Sequence, residues 1–499
     1  MLIDPLFHHA TNTPNDVAIV DDQGQYTYAQ VAAMAAGLSV LISNITTKQN
    51  VAIMLPSGVG FVGSFYGTLL ADKVAVLVNF LLGDREIQHV MADSGVDTVI
   101  TIPQLAPRVA GVANLRVIDL ADVVKQLQSS AGAITPELLR NIKPPAKNID
   151  DVAVLMYTSG TSGLPKGVML TYGNLKSNVD GCIERAMFEH KHVFLGIIPL
   201  FHAFGVTAMM LAPIQIAARA VYLGRFSPVG TVNAIKQHGA SVFMGVPSMF
   251  AAILNLKNAG PEDFKTINLI ISGAEPLPAT VRESFYARFG KRLSEGYGLT
   301  ETSPAVTFNN NKEWREGSVG KPLPGAEIRI TGDDGQPVPV GQTGDLFVRG
   351  PMLMKGYYNL PDVTKDAITP DGFFKTGDVG RFDDDGFLYI TGRKKELIIV
   401  AGEKAVPREI EEVLLKHPAV RDAAVVGKKD AGRGEVVVAF VTLNEGEQTT
   451  PDALRKFASA EGLIQWKVPR EITILPDLPR SPTGKVLKRV LSEQANAIT

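Results

Sequence analysis

The chain of 499 residues contains a single cysteine, Cys182. No intrachain disulfide is possible, and a cysteine-rich zinc site is excluded. A lone thiol suits a reducing compartment, so a cytoplasmic location is expected. Neither sign of charge is in excess: 49 Lys and Arg stand against 51 Asp and Glu, a formal net charge of −2. That balance supplies no global attraction to nucleic acid or to an anionic membrane, and no nucleic-acid partner is expected. The first residues, MLIDPLFHHATNT, lack the basic start and apolar run of a secretory signal. Between Val193 and Ala218 there is no Lys, Arg, Asp or Glu, and ~20 apolar residues can span a bilayer. However, Pro199, His202, Pro213 and Gln215 interrupt this stretch. It divides into a strand-like VFLGIIPL, a loop-like FHAFG and a helix-like VTAMMLAPIQIAA. A buried core, or the wall of an apolar ligand pocket, fits these pieces better than a membrane span. No transmembrane segment is expected, which leaves peripheral membrane contact open.

Hydrophobic residues make up 45% and charged residues 20% of the chain, enough apolar surface for a large core. Chains beyond ~250–300 residues usually divide into domains. Short apolar runs predict strands at Val51–Leu55, Val74–Phe80, Thr98–Ile102, Val152–Tyr157, Val242–Val246 and Leu269–Ser272. A helix is predicted over Phe61–Ala71. Apolar strands separated by helices indicate an α/β architecture with parallel sheets covered on both faces. After about Trp314, turn signals come often (LPG at 323–325, GDDG at 332–335, DDDG at 383–386) and separate short runs such as Glu327–Thr331, Asp345–Val348 and Phe387–Thr391. These predict antiparallel β structure, a small barrel being one form of it. The last ~100 residues read as a separate α+β unit. In it Pro407 opens a helix, Pro418 stops it, strands follow at Ala423–Gly427 and Val436–Leu443, and Thr450 caps a further helix.

The most informative segment follows the strand VAVLMY: Thr158–Gly167, TSGTSGLPKG. Gly160, Gly163 and Gly167 permit positive φ and close backbone approach. Thr158, Ser159, Thr161 and Ser162 supply hydroxyls, and Lys166 adds a mobile cation. Successive N–H groups in such a loop can face an anion, and the whole segment suits a polyphosphate. It is not a Walker A loop, because Lys166 follows Pro165 and precedes Gly167. A flexible polar turn is the plain alternative.

This segment resembles the signature of the adenylate-forming enzymes, the superfamily of acyl-CoA synthetases, amino-acid adenylation domains and firefly-type luciferases. The resemblance continues downstream in order. Gly273, Ala274, Glu275, Pro276 and Leu277 resemble the adenine-contacting segment. Glu295, Gly296, Tyr297, Gly298, Leu299, Thr300 and Glu301 resemble the second ATP motif with its preceding residue, where relatives often carry Gln. Lys375, Thr376, Gly377 and Asp378 resemble the ribose motif. Gly392, Arg393, Lys394, Lys395 and Glu396 resemble the interdomain hinge. Pro482, Thr483, Gly484 and Lys485 resemble the catalytic-lysine motif. The fold implied is α/β: a large N-terminal domain of two α/β subdomains plus a small β-barrel over residues 1–392, then a small mobile α+β C-terminal domain over 393–499.

By resemblance, Glu301 holds Mg²⁺ and Thr300 donates to a phosphate. Asp378 accepts from the ribose hydroxyls, Arg393 reaches the ribose or phosphate edge, and Tyr297 stacks on adenine. Lys485 bridges the carboxylate and the α-phosphate. Lys395 marks the hinge, and Gly402 lines a pantetheine tunnel after the small domain rotates. His202 sits beside the substrate carboxylate, as a gate to the acyl pocket; read alone, a histidine in an apolar run is a satisfied core residue. The implied reaction uses ATP, Mg²⁺ and coenzyme A.

One motif points elsewhere. Gly58-Val59-Gly60-Phe61-Val62-Gly63 matches G-x-G-x-x-G after a strand and at a helix start, with Asp72 and Asp84 downstream. The preceding Leu55-Pro56-Ser57 resembles the family's strand-to-helix turn, which binds no dinucleotide, so NAD is not expected. Phe201, Ala203, Phe204, Gly205, Val206, Met209, Gly245, Val246 and Pro247 lie in or near the uncharged stretch. They include no cation for a second carboxylate and no Asp for an α-amine. An apolar acyl tail fits best, so a medium- or long-chain fatty acid is expected as substrate and CoA as acceptor. An aryl acid, delivery to a carrier protein, or a nucleotide-binding protein without activity are the alternatives. Monomer and homodimer are both compatible with the sequence.

Overall fold

Two large sheets organise the N-terminal three quarters of the chain; both are parallel at the centre, the larger antiparallel at both edges and the smaller at one. The computed structural model describes residues 1–129, 136–158, 164–480 and 486–497. The nine-stranded sheet runs in the order Lys321–Pro322, Ala305–Phe308, Ser294–Gly298, Leu269–Ser272, Val242–Gly245, Val193–Gly196, Arg219–Tyr222, Val17–Asp21 and Gly24–Thr27. Its middle pairings, from Ser294–Gly298 to Val17–Asp21, are parallel. The seven-stranded sheet runs Gly356–Tyr357, Lys166–Thr171, Val152–Thr158, Val74–Leu77, Asn50–Ile53, Thr98–Thr101 and Arg116–Asp119. The predicted strands are therefore present, each within a few residues of its expected bounds. Their central residues are buried because helices cover both faces of a parallel sheet.

Local chemistry sets the helix starts. Thr27 opens the helix Tyr28–Ile45: its side chain accepts from the Gln30 N–H, and the Gln30 side chain accepts from the Thr27 N–H at 2.8 Å. Thr171 and Asn174 form the same box at Tyr172–Ala186. Tyr28–Ile45 is the one helix among the described residues long and apolar enough to cross a membrane. Val31, Ala32, Ala35, Leu38 and Ile42 on it are nonetheless buried in the main core.

The helix that begins at the G-x-G-x-x-G segment, Val59–Leu70, packs on Tyr28–Ile45, and its glycines make that contact. A Cβ on Gly63 would stand 2.6 Å from the Met34 sulfur, and one on Gly67 would stand 2.9 Å from the Ala35 carbonyl oxygen. The helix N-terminus is already served by Asp21, whose Oδ2 accepts from the Val59 N–H at 2.9 Å. The glycines thus allow helix contact, and a side-chain carboxylate holds the place a pyrophosphate would need.

The uncharged stretch 193–218 forms no continuous helix. After the strand Val193–Gly196 the chain turns, winds as a π-helix over Gly205–Leu211, and continues as a short α-helix, Ala212–Gln215. The plain helix predicted over 206–218 is thus partly π-wound. Pro213 has no N–H for the Met209 carbonyl, and the Tyr222 hydroxyl donates to that carbonyl instead at 2.7 Å. Gly205 is required at the turn, since a Cβ there would lie 2.2 Å from the Pro199 oxygen. The membrane-span alternative fails on this geometry.

Past Trp314, four antiparallel strands pair in the order Glu327–Thr331, Gly344–Arg349, Phe374–Phe382 and Leu388–Arg393. The sheet is open between its first and last strands. It encloses a small core of Val319, Ile330, Leu346 and Leu388. The last sheet contains Ile398–Val400, Glu403–Ala405, Val420–Asp430, Gly434–Leu443 and Glu471–Ile474. Helices Pro407–Leu415 and Pro451–Ala460 place Ile410, Leu414, Leu454 and Ala458 against it in a separate core. Thr450 caps the second of these helices, accepting from the Ala453 N–H at 3.2 Å.

Candidate active site

The parallel strands Val193–Gly196, Val242–Gly245, Leu269–Ser272 and Ser294–Gly298 are neighbours in the sheet. Their carboxyl ends therefore open on one side. The chain leaving them carries, in turn, His202, Gly245–Pro247, Gly273–Leu277 and Thr300–Glu301. Parallel α/β sheets bind ligands at such ends, so the topology gathers segments that the sequence keeps far apart.

Close backbone contacts explain the glycines here. A Cβ on Gly298 would lie 1.9 Å from the Pro304 oxygen, and one on Gly273 would lie 3.1 Å from the Phe204 ring. Ala274 takes a positive φ of 68°, so the backbone turns sharply within the adenine-like segment. Gly273 is buried, whereas Ala274 and Pro276 are exposed and Glu275 is intermediate.

Glu295 is 5% exposed. Its carboxylate lies 3.7 Å from the Arg282 guanidinium and accepts from the Leu277 N–H. Burial raises its pKa to about 7, and the Arg408 and Arg282 cations oppose that rise. Gly296 packs against Phe308. The Tyr297 hydroxyl donates to Asp378 Oδ2 at 2.6 Å, and Arg393 Nε stands 3.0 Å from Asp378 Oδ1. Asp378 and Arg393 are register partners on neighbouring strands. Asp378 is 4% exposed, so a buried carboxylate is held between a phenol and a guanidinium.

The expected phosphate loop is the connection of a hairpin. Val152–Thr158 and Lys166–Thr171 pair antiparallel, and Thr158 and Lys166 are the last partners before the loop. Ser159, Gly160, Thr161, Ser162 and Gly163 lie outside the described residues. The helix Asp84–Ser94 braces the hairpin: His89 Nε2 donates to the Pro165 carbonyl at 2.9 Å, and the Tyr157 hydroxyl donates to Asp93 Oδ2 at 2.6 Å. Sequence reasoning did not mark His89, Asp93 or Tyr157, because a brace between distant segments has no local motif.

Glu301 follows in a short turn, Thr300–Thr302. Its Oε1 accepts from the Tyr357 hydroxyl at 2.8 Å, and among the described residues Oε2 has no hydrogen-bond partner. No group of three or more His, Cys, Asp or Glu among the described residues could hold a metal ion. A single carboxylate with one open oxygen fits Mg²⁺, which keeps phosphate and water ligands, and does not fit zinc. Burial lowers the His202 pKa to about 4, so its imidazole is neutral near pH 7.

The remaining expected residues lie in the C-terminal part. Lys395 is exposed on the turn Lys394–Glu396. Gly402, at a φ of 91°, joins two short strands and lines an open groove of about 620 Å³ with Ile399, Lys429 and Arg433. Lys485 lies outside the described residues. Lys488 reaches Glu411 at 2.8 Å and Glu396 at 3.4 Å, which ties the start of the last helix to the turn Lys394–Glu396.

Parallel strand ends gathered on one side, with a buried carboxylate and a braced hairpin, are the arrangement of α/β enzymes that use nucleotides. Comparison with known proteins makes this particular. Residues 6–358 match the family described as AMP-binding enzyme, and residues 409–485 match its C-terminal domain. A long-chain-fatty-acid–CoA ligase of Bacillus subtilis is 32% identical, over 97% of this chain and 93% of that protein. A sulfoacetate–CoA ligase of Cupriavidus necator is 34% identical, over 92% and 90%. ATP-bound MatB of Rhodopseudomonas palustris superposes with a TM-score of 0.90 at 28% identity, covering 99% of this chain and 98% of that one. O-succinylbenzoate CoA synthetase of Bacillus subtilis with ATP and magnesium gives 0.84 at 28% identity, covering 98% of each. The chain belongs to the AMP-binding, adenylate-forming enzyme family and is an AMP-forming acid–thiol ligase.

Proposed function

We propose that the chain activates a medium- or long-chain fatty acid as its acyl-adenylate, with release of pyrophosphate, and then passes the acyl group to CoA. The observation that carries the choice of acid is the uncharged segment that follows the strand Val193–Gly196. Phe201, Ala203, Val206, Ala208, Met209, Met210 and Leu211 in it are buried, and no Lys or Arg occurs from Val193 to Ala218. An apolar wall favours an acyl tail over a second carboxylate or a sulfonate. The neutral His202 at its edge adds no charge.

In the first half-reaction a carboxylate oxygen attacks the α-phosphorus, and the bond to the pyrophosphate oxygen breaks. Negative charge on the transferring group calls for fixed donors and cations. Lys166 and the hydroxyls of Thr158, Ser159, Thr161 and Ser162 would hold the phosphates that leave together. Thr300 would donate to a phosphate oxygen. Mg²⁺, when bound at Glu301, would neutralise polyphosphate charge. Asp378 would accept from the ribose hydroxyls, with Tyr297 and Arg393 fixing its orientation. Lys485 would stabilise charge between the carboxylate and the α-phosphate.

In the second half-reaction the CoA sulfur attacks the acyl carbon, and AMP leaves. For this step we assign residues 393–499 as a mobile domain that turns about Lys395 and brings Gly402 to the pantetheine arm. The groove that Gly402 shares with Lys429 and Arg433 supports this reading. The test is pyrophosphate release across acids of graded chain length, followed by mass detection of acyl-CoA after CoA is added. Turnover rising with aliphatic length supports the proposal. Preference for sulfoacetate or an aryl acid refutes the choice of acid, and accumulation of acyl-adenylate with CoA present refutes the choice of acceptor.

A further inference from the structure

Lys166 begins a strand of the seven-stranded sheet and Glu301 lies in the turn that follows a strand of the nine-stranded one, yet one side chain touches both. Tyr357 is 8% exposed. Its hydroxyl donates to Glu301 Oε1 at 2.8 Å, and its ring centroid lies 5.3 Å from Lys166 Nζ. The strand Gly356–Tyr357 pairs antiparallel with Lys166–Thr171, which sets Tyr357 opposite Val168. The bonds around it join the same two segments. The Tyr358 N–H donates to the Gly167 carbonyl at 2.7 Å, and the Met354 N–H donates to the Glu301 carbonyl at 2.8 Å. Thr364 Oγ1 accepts the Tyr357 N–H at 2.8 Å, and a Cβ on Gly356 would lie 2.8 Å from the Thr364 methyl, so the backbone has little room to shift.

We propose that Tyr357 is a positioning residue that holds Glu301 and Lys166 in register for a Mg²⁺–nucleotide. The inference rests on the reading of this site as one that binds ATP with Mg²⁺. Fixing a free glutamate costs rotamer freedom, and the phenol removes part of that cost before the metal arrives. The ring face holds the Lys166 ammonium by cation–π attraction. One short strand thereby sets the spacing between the metal carboxylate and the phosphate lysine.

The test is the ATP-induced rise in melting temperature of the full chain, titrated with Mg²⁺ and repeated in EDTA, beside the Mg²⁺ dependence of pyrophosphate release. Tyr357→Phe keeps the ring and removes the hydroxyl. It is expected to raise the half-saturating Mg²⁺ about tenfold, the lower end of what a hydrogen bond to a charged group is worth. The response to ATP in EDTA should stay at the wild-type level. Thr364→Val, which loosens the strand without touching the hydroxyl, is expected to lower the melting temperature and to move the Mg²⁺ midpoint less than Tyr357→Phe does. A wild-type Mg²⁺ midpoint in Tyr357→Phe overturns the positioning role, as does an equal shift in both variants. If the wild-type chain itself shows no Mg²⁺-dependent ATP response, the reading of the site as a whole falls.

Discussion

Replacing Glu295 by Gln should change how stability depends on pH more than it changes stability at any one pH. The carboxyl is buried, and burial raises its pKa to about 7 from an ordinary 4.5, against the opposing cations Arg408 and Arg282. The folded chain therefore binds a proton that the unfolded chain releases between those values. Stability owed to this group is fully present below about 4.5 and is lost as pH rises through about 7. At ~1.36 kcal/mol per tenfold displacement, the loss between pH 5 and pH 8 comes to ~2–3 kcal/mol. Gln keeps the shape and has no such titration. Urea midpoints of both proteins at pH 5, 6, 7 and 8 would read the effect as a difference between the two curves. Glu295→Gln should gain on the wild type by ~2–3 kcal/mol over that range. A difference that does not vary with pH, or one that runs the other way, would show that the carboxylate is ionised and held by Arg282 and Arg408. The burial argument would then be wrong.

Tyr297→Phe removes the donor to Asp378 and should weaken ATP binding by ~1 kcal/mol, about fivefold in the ATP concentration at half-maximal rate, with little change in melting temperature. Gly205→Ala places a Cβ against the Pro199 oxygen and should cost ~1–3 kcal/mol or more, read as a lower urea midpoint. Because His202 titrates near 4, the rate between pH 6 and 8 should show no inflection that His202→Asn abolishes; the variant should alter acid selectivity instead. Lys485→Ala should slow adenylation by at least ~10²-fold, measured by pyrophosphate release, with ATP binding retained.

Much of the architecture was legible because it is local. Apolar runs gave the strands at Val74–Leu77 and Leu269–Ser272, and hydroxyl caps such as Thr450 gave helix starts. Two of the ordered motifs, at Gly273–Leu277 and Thr300–Glu301, come together because each follows the end of a parallel strand. What escaped depends on register between distant segments. Nothing near Tyr357 announces a bond to Glu301; the sole local sign is the aromatic pair Tyr357-Tyr358 behind Gly356. The brace of His89 and Asp93 under the hairpin is hidden for the same reason. The π-wound turn over Gly205–Leu211 arises from a proline several residues away and a hydroxyl on another strand. The dinucleotide-like glycines show the converse. Their spacing matches a phosphate motif, while their neighbours, Met34 and Ala35, reveal helix packing.

The most direct test of the central claim is exchange of labelled pyrophosphate into ATP, with and without an added fatty acid. An acyl-adenylate that forms reversibly with loss of pyrophosphate predicts exchange only when the acid is present, and its loss in Lys485→Ala. ATP turnover to ADP and phosphate, or no acid-dependent exchange with any carboxylate in a chain that binds ATP, would contradict the account.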